Sequence, residues 1–130
     1  METKDKYGFR FRDWPVYKDA RIFRKEISLL AKKFPPDERY ALTDQTKRAL
    51  TSIILNIAES TNKSSDKDMR VYINRSHCSL DEVVACLDCA CDDDYINERE
   101  LDTSLTKAAS LAKQLTAFTV YLSKVKPVNR

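Results

Sequence analysis

The stretch TSIILNIAEST, residues 51–61, decides the fold class of this chain of 130 residues. Its apolar residues recur every three or four positions, which is the spacing of an amphipathic helix. The pattern predicts a helix over about 42–62. Asn56 and Glu59 interrupt the apolar run, but at about 100° per residue both fall on a polar strip away from the apolar arc. The helix therefore offers one side to a core and another side to other partners.

The composition excludes several classes of protein. One Gly, four Pro and 33% charged residues leave little material for β-turns and favour helix. At this length the chain forms one domain with a real core. We therefore predict a single all-α domain over 1–130, in which 1–12 is a basic and aromatic N-terminal arm and 125–130 a short basic tail.

Three further amphipathic patterns predict helices over about 14–34, over about 66–91, and from about 98 onward. Each start has a capping signal, and short polar or Pro-containing stretches separate the helices. The expected caps are Asp13 for the first helix, Ser65 with Asp68 for the third, and Asn97 with Glu100 for the fourth. Helices joined this closely predict an antiparallel up-down-up-down four-helix bundle.

Charge is strongly segregated along the chain. Residues 1–33 and 103–130 each carry a net charge of +5, whereas residues 81–102 carry −8. Basic termini favour a polyanionic partner, and the acidic segment argues against a uniformly cationic nucleic-acid surface. We therefore expect nucleic acid to bind only to those helix faces that carry the basic residues.

The first helix carries the main candidate nucleic-acid contacts. They share one stripe or flank it, and they are Lys18, Arg21, Arg24, Lys25 and Lys32. A cationic stripe about 20 Å long could follow phosphates. The alternative is an ordinary solvated helix face.

Further candidate contacts are sparser. Lys113 and Lys124 form a second stripe on the fourth helix, and Arg10 and Arg12 alternate with aromatic residues in the arm sequence YGFRFR, residues 7–12. That mixture suits stacking on unpaired bases. Alternatively, the arm aromatics attach the first helix to the bundle.

Several apolar residues lie outside the stripe that each helix needs for its own core. They are Ile22, Leu29, Ile54, Leu55, Val71, Cys78 and Cys89. Three helices share the feature, which favours a homo-oligomer interface. Scattered surface apolar residues are the alternative.

Metal, cofactor and catalytic chemistry find little support. On a continuous helix only Cys86 and Cys89 could share a metal, with further ligands from another chain, so we predict no metal and no cofactor. A single Gly excludes a phosphate-binding Gly loop, and no nucleophile with a paired base is suggested, so no enzyme is expected. No apolar run reaches the ~20 residues of a membrane span, and the stretch METKDKYGFRFR, residues 1–12, lacks the apolar run typical of a secretory signal, so none is expected. A cytoplasmic protein with no membrane contact is expected.

At residues 45–60, QTKRALTSIILNIAES resembles the second-helix signature of the 23S rRNA intervening-sequence protein family, also called the four-helix bundle protein family. FRDWPVYKDA and CSLDEV resemble the family's opening segment and third-helix block. The polar motif positions are Gln45, Arg48, Ser52, Asn56, Glu59, Ser79 and Glu82. Ser60 replaces the usual Gly, and Ile54-Leu55 stand where the family often has Pro, which predicts a weaker kink in this helix.

The resemblance implies a four-helix bundle, commonly a ring-shaped homopentamer, with a proposed role in nucleic-acid binding and no recognised enzymatic activity. A related branch is the accessory variability determinant of diversity-generating retroelements, which works with a reverse transcriptase and RNA. Two hypotheses follow. The first is an oligomeric bundle that binds nucleic acid, preferably structured RNA. The second is a protein-interaction scaffold, or an accessory subunit of a nucleic-acid enzyme such as a reverse transcriptase.

Overall fold

The computed structural model describes residues 3–124, with side chains through residue 122, and this part of the chain forms four α-helices and no strand. The helices are α1 (Pro15–Leu30), α2 (Leu42–Ser60), α3 (Asp66–Asp92) and α4 (Glu98–Lys124). Short 3₁₀ turns occur at Arg10–Asp13, Ala31–Lys33 and Pro36–Glu38. The predicted all-α class is confirmed, whereas the basic tail, 125–130, lies outside the described residues.

The helices form the predicted antiparallel four-helix bundle. Consecutive helices pack side by side, and α4 returns to pack against α1. One continuous apolar core runs between them, because each helix turns its apolar stripe inward. The largest fully buried side chains are Ile27, Leu50, Ile53, Ile57, Ile73, Leu80, Leu87 and Leu115. Among residues 3–124, no helix has both the length and the apolar character to cross a bilayer.

Two of the three predicted caps are confirmed. The Ser65 hydroxyl accepts a hydrogen bond from the backbone N–H of Asp68 at 3.1 Å, at the start of α3. Asn97 and Glu100 form a reciprocal pair at the start of α4, in which each side chain accepts from the other residue's N–H, at 2.8 and 3.0 Å. These bonds satisfy amide groups that have no partner within a helix.

The predicted cap of α1 is wrong. Trp14 precedes the helix, and its backbone carbonyl accepts from the N–H groups of the first turn. Asp13 belongs to the preceding 3₁₀ turn, where its carboxylate faces the arm and accepts from the Thr3 hydroxyl and the Lys4 N–H. These hydrogen bonds, that of Thr3 above all, lower the pKa of Asp13. The Asp13 carboxylate therefore binds the N-terminal arm and does not cap α1.

The predicted first helix also ends earlier than expected. The α-helix stops at Leu30, and the tighter turn Ala31–Lys33 follows before the chain becomes extended at Phe34. Ala31 and Phe34 remain buried, so the apolar pattern continues although the helix type changes.

Buried hydroxyl groups lie where α2 and α3 pack together. The Ser76 hydroxyl of α3 donates to the Ile53 carbonyl of α2 at 2.7 Å, and Ser76 is fully buried. Cys86 is buried on the same side of α3, beside Thr46, although its helical position predicts an outward thiol. Burial raises the pKa of the Cys86 thiol.

The bundle has two distinct ends, which we name the loop end and the arm end. At the loop end, the connection between α1 and α2 meets the connection between α3 and α4: Tyr95 donates to Glu38 at 2.7 Å, and its ring lies 5.9 Å from that of Phe34. At the arm end, Trp14 makes an edge-on contact with Phe118, with ring centroids 5.0 Å apart.

The arm folds back on itself around Asp5. The Asp5 carboxylate accepts from the Phe9 N–H at 3.0 Å and pairs with Arg12 at 2.7 Å. The backbone carbonyl of Asp5 accepts from the backbone N–H of Gly8. The φ angle of Gly8 is +87°, which a glycine adopts without strain. Phe11 contacts the Tyr17 ring at 4.9 Å, which agrees with the attaching role considered for it.

Candidate nucleic-acid interface

The outer face of α1 presents a row of lysines. The helix buries Val16, Ala20, Phe23 and Ile27, so residues on the opposite side face solvent. Lys18 and Lys25 are exposed there, and Lys32 is exposed in the 3₁₀ turn Ala31–Lys33 that follows the helix. None of the three forms an ion pair within residues 3–122. Their span is about 21 Å at 1.5 Å per residue. Evenly spaced cations that form no ion pair, on a helix and the turn that follows it, suit a polyanion.

The two arginines of the predicted stripe lie on the side of α1 that faces α2. Arg21 is exposed and stacks over the Tyr17 ring at 5.7 Å. The Arg24 Nε donates to the Thr51 hydroxyl of α2 at 3.3 Å. Arg24 therefore joins the basic face of α1 to the outer surface of α2.

The surface of α2 next to Arg24 adds a cation that sequence reasoning missed. Lys47 is exposed one turn from Thr51, and it lines a shallow depression together with Arg48, Thr51, Ser52, Leu55 and Asn56. In the sequence Lys47 belongs to no cationic stripe. Its contribution becomes visible only once α1 and α2 are known to be neighbours.

The arm and α4 contribute less than predicted. Arg10 donates to the Thr61 carbonyl and lies over the Trp14 ring, and Arg12 is paired with Asp5, so both arginines already have partners in the chain. Lys113 is exposed on α4. Lys124 ends α4, and its side chain lies outside the described residues. The exposed candidate contacts are thus concentrated on α1.

The predicted oligomer-interface residues lie mostly in solvent. Leu55 is 60% exposed, Ile22 56%, Leu29 55% and Val71 43%, and Cys78 and Cys89 are exposed on α3. Ile54 differs, because it is half-buried and packs against the core. Exposure of large apolar side chains is compatible with an interface, and the interface itself stays a prediction.

One side-chain constellation has the residue types of a hydrolase triad. His77 Nε2 lies 3.4 Å from the Thr116 hydroxyl, and His77 Nδ1 lies 3.8 Å from Asp81. The histidine–aspartate separation exceeds a hydrogen bond, and Thr116 and Asp81 are open to solvent. A nucleophile needs a base within hydrogen-bond reach and a site for the reacting carbonyl. The arrangement joins α3 to α4, and it does not make an active site.

Thiol and acidic groups do not converge on a metal position. In the part of the chain that the structure describes, no three His, Cys, Asp or Glu side chains come close enough together to hold an ion. Cys86 is buried while its neighbour Cys89 is exposed, so the two thiols face different surroundings.

A model of the 23S rRNA-intervening sequence protein family matches residues 12–117, which include most of α1 to α4. The chain belongs to this family. A solved structure from Bacteroides thetaiotaomicron, a protein of unknown function from the S23 ribosomal protein family, is similar with a TM-score of 0.73. Its sequence identity is 21%, over 80% of this chain and 97% of that chain, so the likeness concerns the fold. The comparison with proteins of curated function gives no match.

The polar residues that carried the family resemblance mainly tie α2 to itself and to α3. Gln45 donates to Glu82, and Ser79 donates to the Ser52 hydroxyl at 2.8 Å. The Asn56 amide donates to the Ser52 carbonyl at 2.9 Å. In this member of the family, these motif residues therefore fix the relative position of two helices.

Arg48 and Glu59, the two charged residues of the polar strip on α2, do not reach another helix. Arg48 pairs with Asp44 at 3.1 Å, and Glu59 pairs with Lys63 at 3.4 Å, each one turn away. Such exposed pairs contribute little to stability. Arg48 and Glu59 can therefore give up these weak pairs and bind charged groups of another molecule instead.

Proposed function

We propose that this family member is a non-enzymatic, self-associating bundle that binds structured RNA through the basic outer face of α1. The observation that carries the proposal is the row of exposed lysines, Lys18, Lys25 and Lys32, none of which forms an ion pair within the described residues. Phosphates would supply the missing counter-charges, and release of their counterions would drive binding.

Neighbouring cations extend this row into a surface. Arg21 lies on the α2 side of the row, and Arg24 connects it to Thr51 and Lys47. A surface two helices wide, held by a rigid bundle, suits a folded RNA whose phosphates are held in fixed positions. Among the described residues the exposed aromatic rings are those of Tyr7, Phe9, Tyr40 and Tyr121, and none of them lies on α1. Phosphate contact therefore dominates over base stacking on α1.

The test is fluorescence anisotropy of nuclease-treated protein with a hairpin RNA and a matched duplex DNA, at low and near-physiological salt. We expect tighter binding to the RNA, and a logarithmic salt slope of about −3 if four phosphates are neutralised, since each contact contributes about 0.7 to 0.9. Dilute protein keeps self-association from obscuring the binding curve.

The decisive variant is Lys18→Glu with Arg21→Glu, which should weaken RNA binding at least tenfold, about 1.4 kcal/mol. The matched control is Lys67→Glu with Arg99→Glu, which makes the same charge change at exposed cations of α3 and α4. Equal losses in both variants would indicate a response to net charge alone and would contradict a site on α1.

A protein-interaction role, such as an accessory subunit beside a nucleic-acid enzyme, is the second candidate. It is favoured by the acidic surface where α3 and α4 meet, which repels nucleic acid and suits a basic partner. Absence of RNA and DNA binding at either salt concentration would move the proposal to this role.

A further inference from the structure

The N-terminal arm carries two aromatic rings whose position its attachment to the bundle does not explain. Phe11 and Trp14 attach the arm, because their rings contact rings of α1 and α4. Tyr7 and Phe9, by contrast, are exposed. Single exposed rings are ordinary on a protein surface, but these two lie on either side of one glycine in the same turn. The pair therefore suits a ligand that binds to aromatic rings.

Hydrogen bonds hold the backbone of both rings in place. The Asp5 carboxylate accepts from the backbone N–H of Tyr7 at 3.2 Å and from that of Phe9 at 3.0 Å. The same carboxylate pairs with Arg12 of the 3₁₀ turn that precedes α1. A ligand would therefore meet a turn that is already ordered, and the entropy lost on binding would be small.

The surroundings of the two rings differ in a useful way. The Phe11 ring is tilted by 58° to the Phe9 ring at 6.2 Å, and no Lys or Arg of residues 3–122 lies over the Phe9 ring. Lys6 and Arg12 lie over the Tyr7 ring, at 4.9 and 5.4 Å. Phe9 thus offers a ring face for stacking, and Tyr7 brings a ring together with positive charge.

The charge and composition of the arm favour nucleic acid over lipid. Lys4 and Lys6 are exposed, and neither forms an ion pair within residues 3–122. Residues 3–13, TKDKYGFRFRD, contain no Ala, Val, Ile, Leu or Met. Segments that bind membranes bury a broad apolar face, whereas flat rings between cations match the bases and phosphates of a single strand.

The rings of the arm adjoin the row of lysines on α1. The Phe9 ring neighbours that of Phe11, which contacts the Tyr17 ring at 4.9 Å, and Arg21 lies over Tyr17 at 5.7 Å. Tyr17 directly precedes Lys18, the first lysine of the row. One nucleic acid can therefore contact the row and the arm together.

We propose that Tyr7 and Phe9 stack on unpaired bases of an RNA in which a single-stranded segment adjoins a duplex, while the duplex lies along the lysine row. The inference rests on the proposed function and names its substrate class, a junction between duplex and single strand. The lysines contact the phosphates of the duplex, whose paired bases are stacked inside it. The rings bind only bases that are free to leave a helix.

The test is fluorescence anisotropy of the nuclease-treated full-length protein with three forms of one hairpin RNA. The first is blunt, the second carries an unpaired extension of about six nucleotides, and the third carries an abasic ribose-phosphate extension of equal length. The second and third forms have the same charge and differ only in their bases. Each extension is placed at the 5′ end and, separately, at the 3′ end.

At one end at least, the extension with bases should bind about tenfold more tightly than the abasic extension, which lies within the range of one stacked base. This ratio should stay constant between low and near-physiological salt while both affinities fall, because stacking releases no counterions. Equal affinities at both ends would overturn the proposal. So would a ratio that disappears as salt rises, since the advantage would then be electrostatic.

The decisive variant is Tyr7→Ala with Phe9→Ala, which should reduce the ratio to within about twofold of one and leave the affinity for the blunt hairpin unchanged to within about twofold. Tyr40→Ala is the matched control, because Tyr40 is an exposed ring with Arg39 over it at the loop end. It should keep the full ratio. An unchanged ratio in the double variant, or an equal loss in the control, would overturn the proposal. Thermal melts followed by circular dichroism verify that both variants fold.

Two further measurements separate this inference from its alternatives. Lys18→Glu with Arg21→Glu should weaken binding of all three RNAs, which tests the row on α1; a blunt hairpin that binds through the row without any advantage of unpaired bases would refute the role of the arm alone. Vesicles rich in phosphatidylglycerol should not bind through the arm. Cosedimentation with these vesicles that the double ring variant abolishes would assign the rings to lipid and overturn the proposal.

Discussion

The loop end and the arm end of the bundle are closed in different ways. At the loop end, a buried ring, Phe34, supports a direct hydrogen bond between the two connections, from Tyr95 to Glu38. At the arm end, the closing pair Trp14 and Phe118 is only half-buried. The arm beyond it is held by the carboxylates of Asp5 and Asp13. The loop end therefore belongs to the core, whereas the arm end is an addition to it.

The largest effect is expected for Phe34→Ala at the loop end. The side chain is 7% exposed and contacts Tyr95, so its loss should cost about 3 kcal/mol of unfolding free energy, as large-to-small changes in a core do. Urea unfolding measures the change. Phe9→Ala, at an arm residue that is 57% exposed, is the matched control and should cost under about 0.5 kcal/mol. Similar losses in both variants would contradict the contrast between the two ends.

Trp14→Ala should cost less, about 2 kcal/mol, because the indole is only half-buried. It removes the contact with Phe118 and the ring over which Arg10 lies. Hydrogen exchange should show faster exchange of the arm amides, while the amides that follow Asp92 keep their protection. Unchanged exchange in the arm would show that Trp14 does not hold the arm in place.

Tyr95→Phe should lower the unfolding free energy by less than Trp14→Ala does, and the size of its effect should change with pH in the alkaline range. The hydrogen bond to Glu38, with burial, raises the pKa of Tyr95 to about 12 from its ordinary 10.0. Its contribution to stability is therefore complete below pH 10 and is lost as pH rises towards 12. The wild type should exceed the variant in stability near pH 8, and the difference should disappear near pH 12.

Comparative urea unfolding at the two pH values measures this effect. Tyr121→Phe, at an exposed residue of α4, serves as the control and should show no such pH-dependent difference. A difference for Tyr95→Phe that stays constant up to pH 12 would contradict the raised pKa.

The smallest effect is expected for Glu100→Gln, and this effect depends on pH in the acidic range. The Lys33 ammonium group and then the Asn97 N–H lower the pKa of Glu100 below its ordinary 4.5. The contribution of Glu100 is therefore present above pH 4.5 and is lost as pH falls through the lowered pKa. Urea unfolding at a series of pH values from 7 downward should show a wild-type advantage at pH 7 that begins to fall only below pH 4.5. A wild type no more stable than the variant at pH 7 would contradict the pairing.

Local patterns predicted most of the fold. The apolar spacing identified four helices, and the caps at Ser65 and Asn97 were readable because each depends on residues three positions apart. The assignment of Asp13 failed because its carboxylate had a competing use, the Thr3 hydroxyl of the arm. A sequence does not show which of two nearby donors a carboxylate will accept from.

The candidate site was less predictable because it depends on neighbouring helices. The lysine row of α1 follows from the periodicity of one helix, but Lys47 joins it only through the packing of α1 against α2. Likewise, Cys86 lies well away from the centre of the apolar stripe of α3 and is nevertheless buried, because α2 approaches on that side. Periodicity gives the faces of a helix, and packing decides which of them are covered.

The hydrogen bond from Ser76 to the Ile53 carbonyl also bears on the order in which the chain folds. It joins two helices that are separated by a short connection, so forming it closes only a small loop of chain. A hydrogen bond inside an apolar contact also penalises a shift of one helix along the other, since the shifted hydroxyl would be buried without a partner. We therefore expect the α2–α3 hairpin to form early in folding, before the other two helices pack against it.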